Sequence, residues 1–244
     1  MTFATTYMKF ELLRTFRNVR FFIFSFIFPL VMYFLLAAPN KNESDFGNSG
    51  ISAPLYYMVG LAAFGTMMAV MAGGARIAAE RSVGWNRQLR LTPLTPRNYF
   101  RAKIATGYLM AILSLVLLYL AGISLGVRMP ADKWLQMTGL ILVALVPFAA
   151  LGIALGHLLT VDSMGPAMGG LTSLFAFLGG TWFPLSGGLQ AFGELLPSYW
   201  LVQAGRVGLG GHAWSSKGWI VVGVWAVALI LLAVRVYQRD TKRV

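Results

Sequence analysis

Six stretches of this chain contain no Asp, Glu, Lys or Arg: Phe21 to Ala38, Pro54 to Ala75, Ile104 to Val127, Trp134 to Gly156, Met164 to Trp182 and Gly218 to Val234. A helix rises about 1.5 Å per residue, so each stretch can cross a hydrocarbon layer roughly 30 Å thick, the last with Lys217 and Arg235 snorkelling at its ends. Lipid offers the backbone no hydrogen bonds, and apolar runs of this length satisfy their own only as helices. The expected fold is therefore an all-α membrane protein with six transmembrane helices, forming a single transmembrane domain over residues 1–244. Composition supports this, since 57% of residues are hydrophobic and 11% charged. Soluble domains carry roughly 25% charged residues.

The charge is unbalanced, with 20 Lys plus Arg against 8 Asp plus Glu, a net +12. Such an excess ordinarily raises the question of nucleic acid. Its placement argues otherwise, because the cations sit between apolar runs, where they meet anionic lipid headgroups and fix orientation. Fifteen of the 20 fall before span one, between spans two and three, and after span six. The positive-inside rule then puts both termini in the cytoplasm. With no cysteine, disulfides, thiol nucleophiles and cysteine metal sites are excluded. Phe21 to Ala38 is too long for the core of a cleavable signal and is read as a retained helix.

The segments between spans carry their own signals. In residues 1–20, Ala4, Met8, Leu12, Phe16 and Val19 recur at helical spacing, which predicts a helix lying along the inner interface. After span two, a short helix around Val83 to Leu91 must end at Pro93, and Thr95 with Pro96 reads as the N-cap and first position of the next helix. Between spans five and six, Leu189, Phe192, Leu195 and Leu196 suggest one short helix and Trp200 to Val207 another, separated by Pro197. Tyr199, Trp200 and Trp214 are expected to anchor this hairpin at the outer interface. Pro29 and Pro147 should kink their spans, and Gly73, Gly74, Gly169 and Gly170 should allow close helix approach.

Little catalytic chemistry is legible. No G-x-x-x-x-G-K-[ST] run is present, so the chain has no phosphate cradle of its own, and no cofactor or metal site is expected. His157 and His212 fall on opposite sides of the predicted membrane and cannot share a metal. A six-helix intramembrane protease is a rival reading, with Ser186 as nucleophile, but span six holds no His to activate it. Ionisable residues are nearly absent from the spans, which argues against a proton-coupled carrier. The adjacent Glu80 and Arg81 read equally well as a functional pair or as a solvated boundary pair. Aromatic residues crowd span one and suit either packing or an amphiphilic substrate.

Two segments resemble the type-2 permeases of ATP-binding-cassette (ABC) transporters. AAERSVGWNRQLRLTPLTPRNYFRAK is similar to the family's E-R-x-x-G, Leu-rich turn and T-P-L at Glu80, Arg81, Gly84, Leu89, Thr92, Pro93 and Leu94. FLGGTWFPLSGGLQAFGELLPSYWLVQAGR is similar to its small-residue, F-P, L-P and aromatic sequence at Gly179, Gly180, Phe183, Pro184, Leu196, Pro197 and Tyr199. Ser82 stands where many members carry a second acid. The resemblance implies a cytoplasmic coupling helix between spans two and three, an outer re-entrant hairpin between spans five and six, and a dimer of permeases, each resting on a separate ATPase that holds ATP and Mg. Glu80, Arg81, Gly84, Trp85, Leu89 and Leu91 would be the ATPase-coupling residues. Phe22, Phe26, Tyr33, Phe175 and Phe183 are candidates for the substrate path. The implied activity is export of a hydrophobic or amphiphilic drug, antibiotic or lipid from the bacterial cell membrane, with polysaccharide or glycolipid export as the alternative. The implied partners are the ATPase, a second permease copy and membrane lipids, and not nucleic acid.

Overall fold

The computed structural model describes residues 3–210 and 214–242, and every regular element among them is helical. Helix α1 spans Phe3–Phe16. A continuous helical run follows, built from α2 (Val19–Phe22), a π-helical turn (Ile23–Ile27) and α3 (Phe28–Ala37). Then come α4 (Ala53–Ser82), the short α5 (Trp85–Arg90), α6 (Pro96–Ser124), α7 (Ala131–Ala144) and α8 (Val146–Leu158). The chain ends with α9 (Val161–Leu178), α10 (Gly187–Gly193), α11 (Pro197–Gly210) and α12 (Ser216–Lys242).

Four helices among the described residues are long and apolar enough to cross a membrane: α4, α6, α7 with α8 taken together, and α12. The other two expected spans correspond to α2 through α3 and to α9, both helical, the first containing a shorter apolar helix over Ser25–Ala37. Helix α4 is the hub. About 89% of its apolar window is buried against 22% for α12, because α6, α8, α3 and α9 all pack around it. Its Tyr56, Met58, Leu61, Met67 and Met71 are buried in one core with Met110, Leu115 and Leu118 of α6.

Both prolines act as expected, by identifiable routes. Pro29 has no N–H to offer the carbonyl of Ser25 four residues back, and the helix widens into the π turn just before it. Ser114 of α6 donates its hydroxyl to that freed carbonyl at 3.3 Å. Pro147 leaves the carbonyl of Val143 without its helical donor, and the backbone breaks into α7 and α8 around Leu145. Glycine supplies the closest helix contact at α8: a Cβ on Gly152 would lie 2.7 Å from the Met71 carbonyl, and one on Gly156 2.5 Å from that of Gly74. Gly74 thus serves as expected. Gly169 and Gly170 do not, since a Cβ on either meets nothing within 4 Å in this chain.

Two loop expectations need correction. Tyr199, Trp200 and Trp214 are buried rather than set at an interface. Trp200 packs over Gly218 and donates to the Glu194 carbonyl at 2.8 Å, while α11 packs against α7 and α4. The exposed tryptophan at this end is Trp219, in contact with Trp214. Helix α1 also turns differently from its apolar stripe: Glu11 and Thr15 are buried, and Phe16 is exposed. That face meets cations of α4 and α6, Arg76 and Lys103, with which Glu11 pairs.

Candidate functional site

The structure converges where α4 ends. Residues 76 to 81 form the last turns of a helix that is packed on nearly every side, and of the three charged groups there the adjacent Glu80 and Arg81 lie about 100° apart, as neighbours on a helix must. Glu80 and Arg81 therefore cannot pair with each other as a solvated boundary pair. They point into two separate clusters.

The first cluster joins α1, α4 and α6. Glu80, 1% exposed, accepts from Lys103 Nζ at 2.6 Å, Arg14 Nη1 at 2.8 Å and the Tyr99 hydroxyl at 2.6 Å. Lys103 also donates to Glu11 at 2.8 Å, and Arg76 Nε reaches the same Glu11 oxygen at 2.9 Å. An isolated buried ammonium would shed its proton, and an isolated buried carboxylate would take one up. Here one lysine lies between two carboxylates, so each charge meets its opposite. Burial alone would raise the Glu11 carboxyl, but the Lys103 and Arg76 cations outweigh it and hold the group below the ordinary carboxylate range. Burial, reinforced by the nearby carboxylates, pushes the Tyr7 phenol well above its usual value, so it stays neutral.

The second cluster joins α4, α8 and α12. Arg81 forms a two-pronged pair with Asp240, Nε to Oδ2 at 2.7 Å and Nη2 to Oδ1 at 2.9 Å. Its remaining arm donates to the carbonyls of Gly156 at 3.0 Å and Leu159 at 3.3 Å. These carbonyls lie at the C-terminal end of α8, where helical donors run out and negative charge accumulates. His157 Nδ1 lies 2.9 Å from Asp240 Oδ2, with the rings of Phe100 and Tyr237 against the imidazole.

Beyond Ser82 the chain turns sharply. Gly84 has φ +69°, a conformation that only glycine adopts readily, and the turn projects α5 away from the bundle. Trp85 and Leu91 are exposed, Leu91 at 91%, and Leu89 is half-buried. The side chains of Arg87 and Arg90 lie outside the described residues, as does His212. Thr95 caps α6, its hydroxyl accepting from the Asn98 N–H at 3.3 Å, with Pro96 in the first turn. The six coupling candidates thus fall into two groups: Trp85, Leu89 and Leu91 at a projecting surface, and Glu80 and Arg81 fixed inside behind it, with Gly84 as the joint.

The five candidate path residues separate as well. Phe26, Tyr33 and Phe175 are buried in the core. Phe22 is half-buried beside Phe26, their ring centres 4.9 Å apart, and the exposed Phe183 packs on Phe177 at 5.1 Å. An open apolar hollow lies nearby on α3, lined by Val31, Phe34, Leu35, Ala38 and Pro39.

Glu11, Tyr99, Lys103 and Asp240 were not singled out from sequence. A signal existed, since Glu11 is the only acid before span one and Asp240 the only acid within or after span six. A lone carboxylate in a strongly cationic flank is a ready partner for a buried cation.

Residues 46–235 match the family described as ABC-2 family transporter protein. Over 196 residues the chain is 31% identical to "Putative transport permease YvfS" of Bacillus subtilis (strain 168), covering 78% of this chain and 78% of that protein. No solved structure matches the chain. The family match includes Glu80, Arg81, Lys103 and His157 and excludes Glu11 and Asp240.

Proposed function

Because this chain belongs to the ABC-2 family of transporter proteins, as a multi-pass membrane subunit served by an ATPase, we propose that it exports a hydrophobic or amphiphilic compound, such as a drug, antibiotic or lipid, from the cell. In this reading six spans cross the cell membrane: α2 through α3, α4, α6, α7 through α8, α9 and α12. Both termini are cytoplasmic, α10 and α11 form the outer re-entrant hairpin, and a second copy completes a homodimer. Phe22 and Phe183 would meet substrate at the surface of the path, with Phe26, Tyr33 and Phe175 supporting them from within.

The observation that carries the proposal is the short α5, with Trp85 exposed at its start and Leu91 exposed just past its end, standing directly on the end of the most buried helix. Trp85, Leu89 and Leu91 present a surface of the kind that anchors protein interfaces. Movement of an ATPase beneath α5 would pass through the Gly84 joint into the last turn of α4. Glu80 would carry it to α1 and α6, and Arg81 to α8 and α12. Glu80 and Arg81 are then positioning residues that transmit load rather than touch the partner.

The test is co-purification of the tagged permease with its ATPase, together with ATP hydrolysis in the presence of lipophilic compounds. Leu91→Asp should abolish co-purification while membrane insertion persists. Glu80→Gln should keep co-purification within about two-fold and lose the stimulation by lipophilic compounds. ATP-driven uptake of a fluorescent amphiphile into inverted vesicles reports direction. Undiminished co-purification of Leu91→Asp refutes the α5 surface, and absence of uptake refutes export of amphiphiles.

A further inference from the structure

The inward face of α1 is occupied by its ion pairs, which leaves the outward face to be explained. At about 100° per residue, Lys9, Phe10, Leu13, Phe16 and Arg17 all lie within about 60° of the direction opposite Glu11 and Thr15. All five are exposed. Neither Lys9 nor Arg17 has an ion-pair partner among the described residues. The single acid of α1, Glu11, is turned inward, so the outward face carries positive charge only. Arg97 and Arg101, exposed on the first turns of the neighbouring α6, extend that field.

A water-facing surface would not expose two phenylalanines and a leucine between its cations. Aromatic and aliphatic groups interleaved with Lys and Arg fit the boundary between acyl chains and anionic headgroups, where each cation gains from the surface potential and each apolar group from partial immersion. We infer that the outward face of α1 is a docking surface for anionic lipid, and that Glu11 ties its occupancy to the end of α4. Displacing α1 would remove Glu11 and Arg14 from Lys103, Arg76 and Glu80, and so loosen the turn that carries α5. Anionic lipid is thereby a regulator of coupling, a consequence that rests on the transport reading above. The lipid preference does not rest on it.

The natural absence of cysteine makes the surface directly measurable. Leu13→Cys, labelled with bimane and reconstituted in phosphatidylcholine vesicles, reports local lipid through quenching by brominated phosphatidylglycerol or brominated phosphatidylcholine. Phosphatidylglycerol should be preferred at Leu13. Lys9→Gln and Arg17→Gln should each reduce that preference about five-fold, as expected for roughly one kcal/mol per basic residue. Both cations are exposed and unpaired, so these variants keep the fold. Leu120→Cys, exposed near the far end of α6, serves as the control and should be indifferent to both substitutions.

Equal quenching by the two lipids, a preference that survives both substitutions, or no quenching by either lipid, which would mean protein covers the face, overturns the docking surface. In the complex with its ATPase, the double variant should lose stimulation of ATP hydrolysis by phosphatidylglycerol. Glu11→Gln should lose it too, while keeping the lipid preference at Leu13. Retained stimulation in either overturns the regulatory link and leaves the docking surface standing.

Discussion

Replacing Lys103 with methionine tests the central cluster most severely. The substitution keeps the length and apolar stem of the side chain and deletes the ammonium that serves two buried carboxylates. Glu11 and Glu80 are then left with Arg76, Arg14 and Tyr99 as partners. Removing one member of a buried ion pair leaves an uncompensated charge in a poorly solvated place and costs about 3–5 kcal/mol. Arg14→Met also removes an ion pair to Glu80, but the Arg14 side chain is 51% exposed, and water screens the charge. That change should cost under about 1 kcal/mol. For a chain of this size each kcal/mol moves the unfolding midpoint about 2–4 °C. Lys103→Met should therefore fall by about 6–20 °C and Arg14→Met by a few degrees at most, read by tryptophan fluorescence in mild detergent at one scan rate. Adding Glu11→Gln to Lys103→Met should deepen the loss, because it takes from Arg76, whose side chain is 8% exposed, its carboxylate partner. Equal losses for Lys103→Met and Arg14→Met, or a recovery on adding Glu11→Gln, would refute the argument that the cluster is held by mutual neutralisation.

Gly152→Ala should destabilise by about 1–3 kcal/mol, because its Cβ would press on the backbone of Met71, whereas Gly170→Ala meets open space and should leave the midpoint of the detergent-solubilised chain unchanged. Glu11 has a folded-state carboxyl held below its ordinary value of 4.5, so its stabilisation is present above that value and is lost as pH falls through the lower folded one. Thermal midpoints should hold from neutral pH to about 5 and decline below about 4.5, and Glu11→Gln should start lower and flatten that decline. Thr95→Ala removes the cap from α6 and should cost about 1 kcal/mol, measured the same way.

Much of the architecture is a local consequence of chain chemistry in lipid. A charge-free run of about twenty residues becomes a helix because its backbone has no other partner there, and all six such runs are helical here. Prolines and caps are local too: Pro29, Pro147 and Pro197 break or begin helices where their rings forbid continuation, and Thr95 starts α6 through its own side chain. The projecting α5 and its apolar residues were legible for the same reason, since a Gly turn and a Pro stop bracket it in sequence. Which way each helix faces was not. Tyr199 and Trp200 carry the composition of interfacial anchors, yet α11 packs into the bundle and takes them inside. Glu11 and Lys103 are 92 residues apart, and Arg81 and Asp240 are 159 apart. No periodicity can register such pairs, because they form only when separate helices meet. Helix formation in a membrane is determined residue by residue, whereas the partner of a buried charge depends on how the helices pack, and here that packing gave two adjacent residues, Glu80 and Arg81, partners in two separate clusters.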